Sequence, residues 1–199
     1  LSWNECEEMN KWLLVSGGGI VVLLFFLFYP LTSALVFYEE RSSTIAAYFP
    51  LKKGDHFQIT FVHSIHRTDV VETYQLLEGG EIEQQAMFFS QFGIGMPSTL
   101  YEGESIDYVD GRYEVTGMTN RFPQLNIRNG KTVSQHRLSF WRQGESPQCV
   151  RFNDYFEPGA WFTVKVEKLS FFDKQKGVLI DDKEERGACR FERAHRDIN

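Results

Sequence analysis

ITFVHSIHRTDVVETYQL, residues 59–76, alternates apolar and polar positions on both sides of a short polar break. A period of two marks a strand with one buried face, so the stretch predicts a β-hairpin. Closing it through the four-residue loop His66-Arg67-Thr68-Asp69 sets Ile65 against Val70, His63 against Glu72, Phe61 against Tyr74 and Ile59 against Leu76. The other face pairs Ser64 with Val71, Val62 with Thr73 and Thr60 with Gln75. A one-residue slip would mix the faces, so the apolar pattern selects this register. His63 and Glu72 are then direct neighbours on the apolar face, with Cβ atoms about 4.5–5.5 Å apart.

A carboxylate in that position accepts a hydrogen bond from one ring nitrogen, sets the tautomer and leaves the other nitrogen for a ligand. A buried His–Glu pair that only satisfies itself accounts for the same pattern. Ser64 follows His63, but adjacent strand residues point apart and no G-x-S-x-G elbow is present, so no catalytic residue is assigned. His63 and His66 fall on opposite strand faces and make a poor metal pair unless the turn bends sharply. His136 shares a face with Leu138 and Phe140 and is a candidate third member. No metal site or cofactor follows. In SQFGIGMPS, residues 90–98, Gly93 and Gly95 permit positive φ or close backbone approach, either as a turn or as exposed amides facing an anion. Arg67, Arg121, Arg137 and His136 are the cationic candidates for an anion-binding patch, with solvated strand edges as the plainer account.

Further short strands surround the hairpin. Residues 82–89 follow Glu78-Gly79-Gly80, residues 112–118 follow Asp110-Gly111, and residues 124–128 precede Asn129-Gly130, which reads as another hairpin turn. Residues 134–141 and 160–169 complete the set, and no helical period of useful length intervenes. The fold class expected is all-β, a small antiparallel sandwich or barrel over residues 42–169. The mixed-sign stretch 173–199 reads as a mobile tail or a loosely docked appendage.

Residues 12–37 contain no charged side chain. As a helix they would reach about 39 Å, and the part before Pro30 roughly 27 Å, against a bilayer core of about 30 Å. The expectation is an uncleaved transmembrane anchor contacting membrane lipid; the rival is a signal peptide cleaved near Thr32-Ser33-Ala34. Residues 1–11 form a short leading segment. Met9 opens a natural-looking start, MNKWLLVSGGG, which makes residues 1–8 an upstream extension. Lys11 as the cationic flank keeps the N-terminus cytoplasmic and places the remainder outside the cytoplasm, in the cell membrane as a single-pass protein.

The 199-residue chain carries a net charge of −6, which argues against a nucleic-acid partner. Its three cysteines, Cys6, Cys149 and Cys189, form no C-x-x-C pair, and Cys149 with Cys189 can join only in an oxidising compartment.

Four stretches occur in order: FVHSIHRTDVVETY, FFSQFGIGMP, VTGMTNRFPQLNIR and SQHRLSFW. Together they resemble an uncharacterised bacterial domain-of-unknown-function family that accompanies TAXI-type TRAP transporters, over roughly residues 35–168. The matching positions are His63, Ser64, Glu72, Gly93, Gly95, Pro97 and Arg121. The resemblance implies an extracytoplasmic accessory domain in solute uptake, with a TRAP permease or solute-binding protein as partner and no enzymatic activity assigned. The alternative is a sensing or carrier domain for a carboxylate or other small anion, with a metal-dependent enzyme behind it.

Overall fold

The computed structural model describes residues 3–133, 135–141 and 148–181; in its first helix it describes the side chains of Trp12 and residues 16–28. That helix, α1, runs Trp3–Phe28, and the strand β1 follows at Thr32–Glu39. The apolar run therefore divides, and the expected span over residues 12–37 ends as a helix at Phe28. Pro30 has no amide proton to continue a helix and biases the residue before it toward extended backbone. Val36, Phe37 and Tyr38 beyond it are strand formers. Ala34, Leu35, Val36 and Phe37 are completely buried, and the stretch read as a cleavage site is the start of a core strand. Among the described residues, no helix is long and apolar enough to cross a membrane.

The remaining strands are β2 (Ile45–Pro50), β3 (His56–Val62), β4 (Asp69–Leu76), β5 (Ile82–Phe89), β6 (Ser105–Val109), β7 (Arg112–Phe122), β8 (Leu125–Arg128), β9 (Arg137–Trp141), β10 (Gln148–Arg151), β11 (Trp161–Leu169) and β12 (Val178–Leu179), with a short helix α2 at Phe171–Lys174. They form a five-stranded sheet in the order β12-β2-β1-β11-β8 and a seven-stranded sheet in the order β10-β9-β3-β4-β5-β7-β6. All pairs are antiparallel except β12 with β2. The sheets pack face to face as a sandwich. Leu35, Phe37 and Phe49 of one meet Phe57, Leu138 and Phe140 of the other in a single buried cluster. The rings of Phe49 and Phe140 touch across the layers, with centroids 3.8 Å apart.

Turn chemistry explains one connection and misleads at another. Asp110 and Gly111 both take positive φ, 51° and 83°, as a two-residue turn between antiparallel strands requires. Asn129-Gly130, expected to close a hairpin, instead links β8 in one sheet to β9 in the other. Asn129 is fully buried, and its Nδ2 donates toward Asn153 Oδ1 at 2.9 Å and the carbonyls of Glu157 and Phe156 at 3.1 and 3.2 Å. Its backbone amide donates to Ala160, and its carbonyl accepts from Gly159. The side chain satisfies a buried crossover rather than a tight turn.

The expected hairpin exists in a different register. Ile59 faces Glu72, Phe61 faces Val70 and Phe57 faces Tyr74, so β4 is displaced by four positions. An even displacement keeps every residue on its expected face. It separates His63 from Glu72, and the predicted contact is lost. Neighbouring strands decide the matter: this register aligns Phe57 with both Tyr74 and Phe140, and Ile59 with Leu138, so three strands present matching apolar rows. Phe57 and Tyr74 stack with centroids 5.1 Å apart. The cost is a wider loop that leaves Ile65 exposed.

The expected mobile tail begins as part of the core. Ser170 and Asp173 form a capping box around α2, and Val178 and Leu179 pair with Ala47 and Tyr48. The Ile180 amide donates to the Tyr48 carbonyl, and its side chain is buried with Phe37 and Phe49. Residues 182–199 of that expectation lie outside the described residues. Ile180→Ala is expected to lower unfolding stability by about 2–4 kcal/mol in urea titration. A solvated tail residue would change it by no more than about 0.5 kcal/mol.

Candidate functional site

The site is the edge where the β3–β4 loop meets the loop after β5. The His63 amide donates to the Thr68 carbonyl at 2.9 Å, and the Arg67 amide donates to the His63 carbonyl at 2.9 Å. Arg67 takes φ 57°, which folds the loop back sharply. The His66 amide then donates to Nδ1 of His63 at 3.3 Å, and the two imidazoles stack with centroids 4.8 Å apart. Strand alternation would have separated these rings; they meet because the strand ends at Val62.

Gly93, Ile94, Gly95 and Met96 form a turn closed by the Met96 amide on the Gly93 carbonyl, with φ 90° at Gly95. Positive φ at the third position is the type II arrangement, which explains this glycine. Gly93 serves close approach instead. A Cβ there would lie 2.8 Å from Nε2 of His66 and 3.6 Å from Cε1 of His63. His63 Nε2 lies 3.3 Å from the Ile94 carbonyl. Because Nδ1 already accepts from an amide, Nε2 carries the proton and donates to that carbonyl. Both nitrogens are thus engaged by the backbone, and the ring acts as a clasp between two loops, with no nitrogen left over for a ligand.

The two loops around this clasp expose several apolar side chains. Ile94 is 84% exposed and Ile65 is 64% exposed, and Phe92, Leu100 and Tyr101 are also exposed. Phe92 rests on Phe89 and Tyr113, at 5.1 and 4.5 Å between centroids. Met96 packs on a second buried cluster that includes Val70, Met87, Phe89 and Val115. The loops are therefore seated on the sheet while their tips stay in solvent.

The other expected members do not converge. Ser64 and Arg67 are exposed beside the clasp. Glu72 sits opposite Ile59, about 13 Å of strand from His63 at about 3.3 Å per residue. It lies among Ile59, Met87, Val70 and Tyr74, and the Tyr74 hydroxyl donates to its Oε2 at 2.9 Å. Burial raises the Glu72 pKa above the usual carboxyl range, against the opposing pull of that hydrogen bond. Burial and the adjacent carboxylate push the Tyr74 hydroxyl up as well. His136 stacks on Phe61 at 5.9 Å and its Nδ1 accepts from the Gly130 amide at 3.4 Å; burial lowers its pKa, so it stays neutral. Arg121 pairs with Glu83 at 3.0 Å, at the far end of the β5–β7 ladder from Phe89, and Arg137 pairs with Asp69. The anion patch expected from these arginines is therefore divided among ion pairs.

Sequence reasoning missed the meeting of His66 with His63 and the role of the Ile94 carbonyl. The adjacency of two glycines to an isolated exposed isoleucine was the available signal. Among the described residues, no group of three or more His, Cys, Asp or Glu side chains is placed to hold a metal ion. Cys149 is disulfide-bonded; whether its partner is Cys189 lies outside the described residues.

Residues 57–145 match the model of a domain of unknown function, DUF1850. The match runs from β3 past β9 and contains both loops of the clasp, while β1, β2 and β11 lie outside it. No curated protein and no solved structure matches the chain.

A raised folded-state pKa means the native state holds a proton that the unfolded chain has released. Glu72 therefore contributes stability below its ordinary pKa of 4.5, and that contribution is lost as pH rises toward the raised value. Glu72→Gln keeps an acceptor for Tyr74 and removes the titration. Its urea midpoint relative to the native chain is expected to climb as pH rises above the ordinary carboxyl value of 4.5; a constant difference would contradict the burial assigned to this carboxyl.

Proposed function

We propose that this chain is a membrane-tethered extracytoplasmic accessory domain that assists a TRAP-type solute uptake transporter and performs no chemistry of its own. The observation that carries the proposal is α1. Ile20, Val21, Val22, Leu23, Leu24, Phe25, Phe26 and Phe28 are all exposed around the helix, with no charge among them. An apolar surface of this extent seeks lipid or a partner. The Cys149 disulfide supports an oxidising compartment on the far side of that tether. The transporter partner rests on the sequence resemblance.

Within this reading the clasped edge is the contact surface for a transporter component. A rigid pair of loops presenting Ile65, Phe92, Ile94 and Tyr101 suits protein recognition, where apolar and aromatic anchors dominate binding energy. It suits small-anion capture less well, because both ring nitrogens of His63 are already engaged by backbone and Arg137 is paired.

Tagged protein purified from native membranes in mild detergent is expected to carry a TRAP permease or its solute-binding component. Ile94→Asp combined with Ile65→Asp is expected to reduce that recovery by about ten-fold or more, the effect of losing one interface anchor, without changing the melting temperature. Recovery of no transporter component would count decisively against the assignment.

A further inference from the structure

The base of α1 carries a second unusual surface. Leu169, the last residue of β11, lies opposite Thr32, the first of β1, so the chain leaves the sheet beside the end of α1. The next residues are Ser170, Phe171, Phe172, Asp173, Lys174, Gln175 and Lys176. Although α2 is only one turn, its shape is firmly held. Ser170 Oγ accepts the Asp173 amide at 3.1 Å, and Asp173 Oδ2 accepts from the Ser170 hydroxyl at 2.7 Å. Lys174 Nζ donates to Thr32 Oγ1 at 3.2 Å, tying α2 to the start of β1.

That framework turns two phenylalanines outward. Phe171 is 52% exposed and Phe172 is 51% exposed. The Phe172 ring lies 5.4 Å from that of Phe28, the last residue of α1, and exposed Tyr29 and Leu31 continue the same apolar surface. Lysines frame it. Lys176 Nζ lies 4.9 Å over the Phe172 ring, and Lys168 is exposed at the end of β11. Residues 165–176 hold four lysines against Glu167 and Asp173; Lys165 pairs with Glu167 and Lys176 Nζ pairs with Asp173 Oδ1 at 2.7 Å, so the net positive charge rests on Lys168 and Lys174.

We infer that α2, with Phe171, Phe172 and the lysines at 168, 174 and 176, is a foot that seats the β-sandwich on an anionic lipid surface. The inference rests on the reading of α1 as a membrane tether. A helix leaving a bilayer ends at headgroup depth. Aromatic rings are favoured there, and lysines lay their stems along apolar surface with the ammonium group outward. The phosphates of an anionic leaflet complement the local positive charge. Continuity with Phe28, Tyr29 and Leu31 selects lipid over a protein partner, since the same apolar surface runs from the helix onto α2. The foot fixes the sandwich relative to the membrane, so the tether does not act as a free swivel.

The full chain reconstituted into vesicles containing a photoactivatable lipid tests this. In phosphatidylcholine mixed with phosphatidylglycerol, mass spectrometry is expected to find lipid adducts on α1 and also on the peptide bearing Phe171 and Phe172. Changing Lys168, Lys174 and Lys176 together to Gln is expected to reduce the second set about five-fold or more and leave the α1 adducts intact. Adducts on α1 with none at Phe171 or Phe172 overturn the foot and leave the tether standing. Absence of adducts from α1 overturns the tether itself.

Discussion

The structure depends on the burial of β1 from both sides. Leu35 and Phe37 face the seven-stranded sheet and join the central cluster, where Phe37 lies 5.1 Å from Phe156. Ala34 and Val36 face the other way and pack with Ile45, Tyr48 and Leu169. A strand apolar on both faces needs cover on both faces. The second sheet supplies one cover. The segment after β11 passes along the other, where a Cβ on Gly177 would come within 2.5 Å of Ile45. Residues 170–180 dock on this sheet, with Gly177 against Ile45 and Ile180 in the central cluster.

This constraint joins the α1 end of the molecule to the loop edge that carries the His63 clasp. α1 leads, through Tyr29, Pro30 and Leu31, into a strand whose residues Ala34, Leu35, Val36 and Phe37 are completely buried. At the other end, β3 and β4 extend past the central cluster and carry the His63 clasp. The second cluster, built on Val70, Met87, Phe89 and Val115, supports the loops there. One sandwich therefore carries the exposed apolar surface of α1 and an apolar loop edge.

Much of the seven-stranded sheet was legible in sequence. β3 and β4 announce themselves by alternation, β5 and β7 follow turn residues, β9 reads as a further short strand, and Asp110-Gly111 marks a true turn. β10, at four residues, is too short to display a period, and β6 is not among the strands expected from sequence. β1 was hidden because a doubly buried strand reads as an unbroken apolar run, the same pattern a membrane helix shows. The hairpin faces were right and its register was not, because parity survives an even shift. For the site, Gly93 and His63 were singled out for sound reasons, but Glu72, Arg121 and His136 belonged to other surroundings.

The sequence by itself determined the strand-rich class, the face each residue of β3 and β4 takes, the lack of charge over residues 12–37 and the stretches marked by His63 and Gly93. Each of these is a local property, carried by side-chain type and period. Only the tertiary structure decided where the apolar run changes from helix to strand, which residues oppose one another in the hairpin, that His66 joins His63, and that residues 170–180 cover the sheet. Those outcomes depend on matching apolar rows across strands distant in the chain, such as Phe57 with Phe140 and Phe37 with Val164. No local pattern contains that information, because the free energy that selects them comes from burying both partners at once.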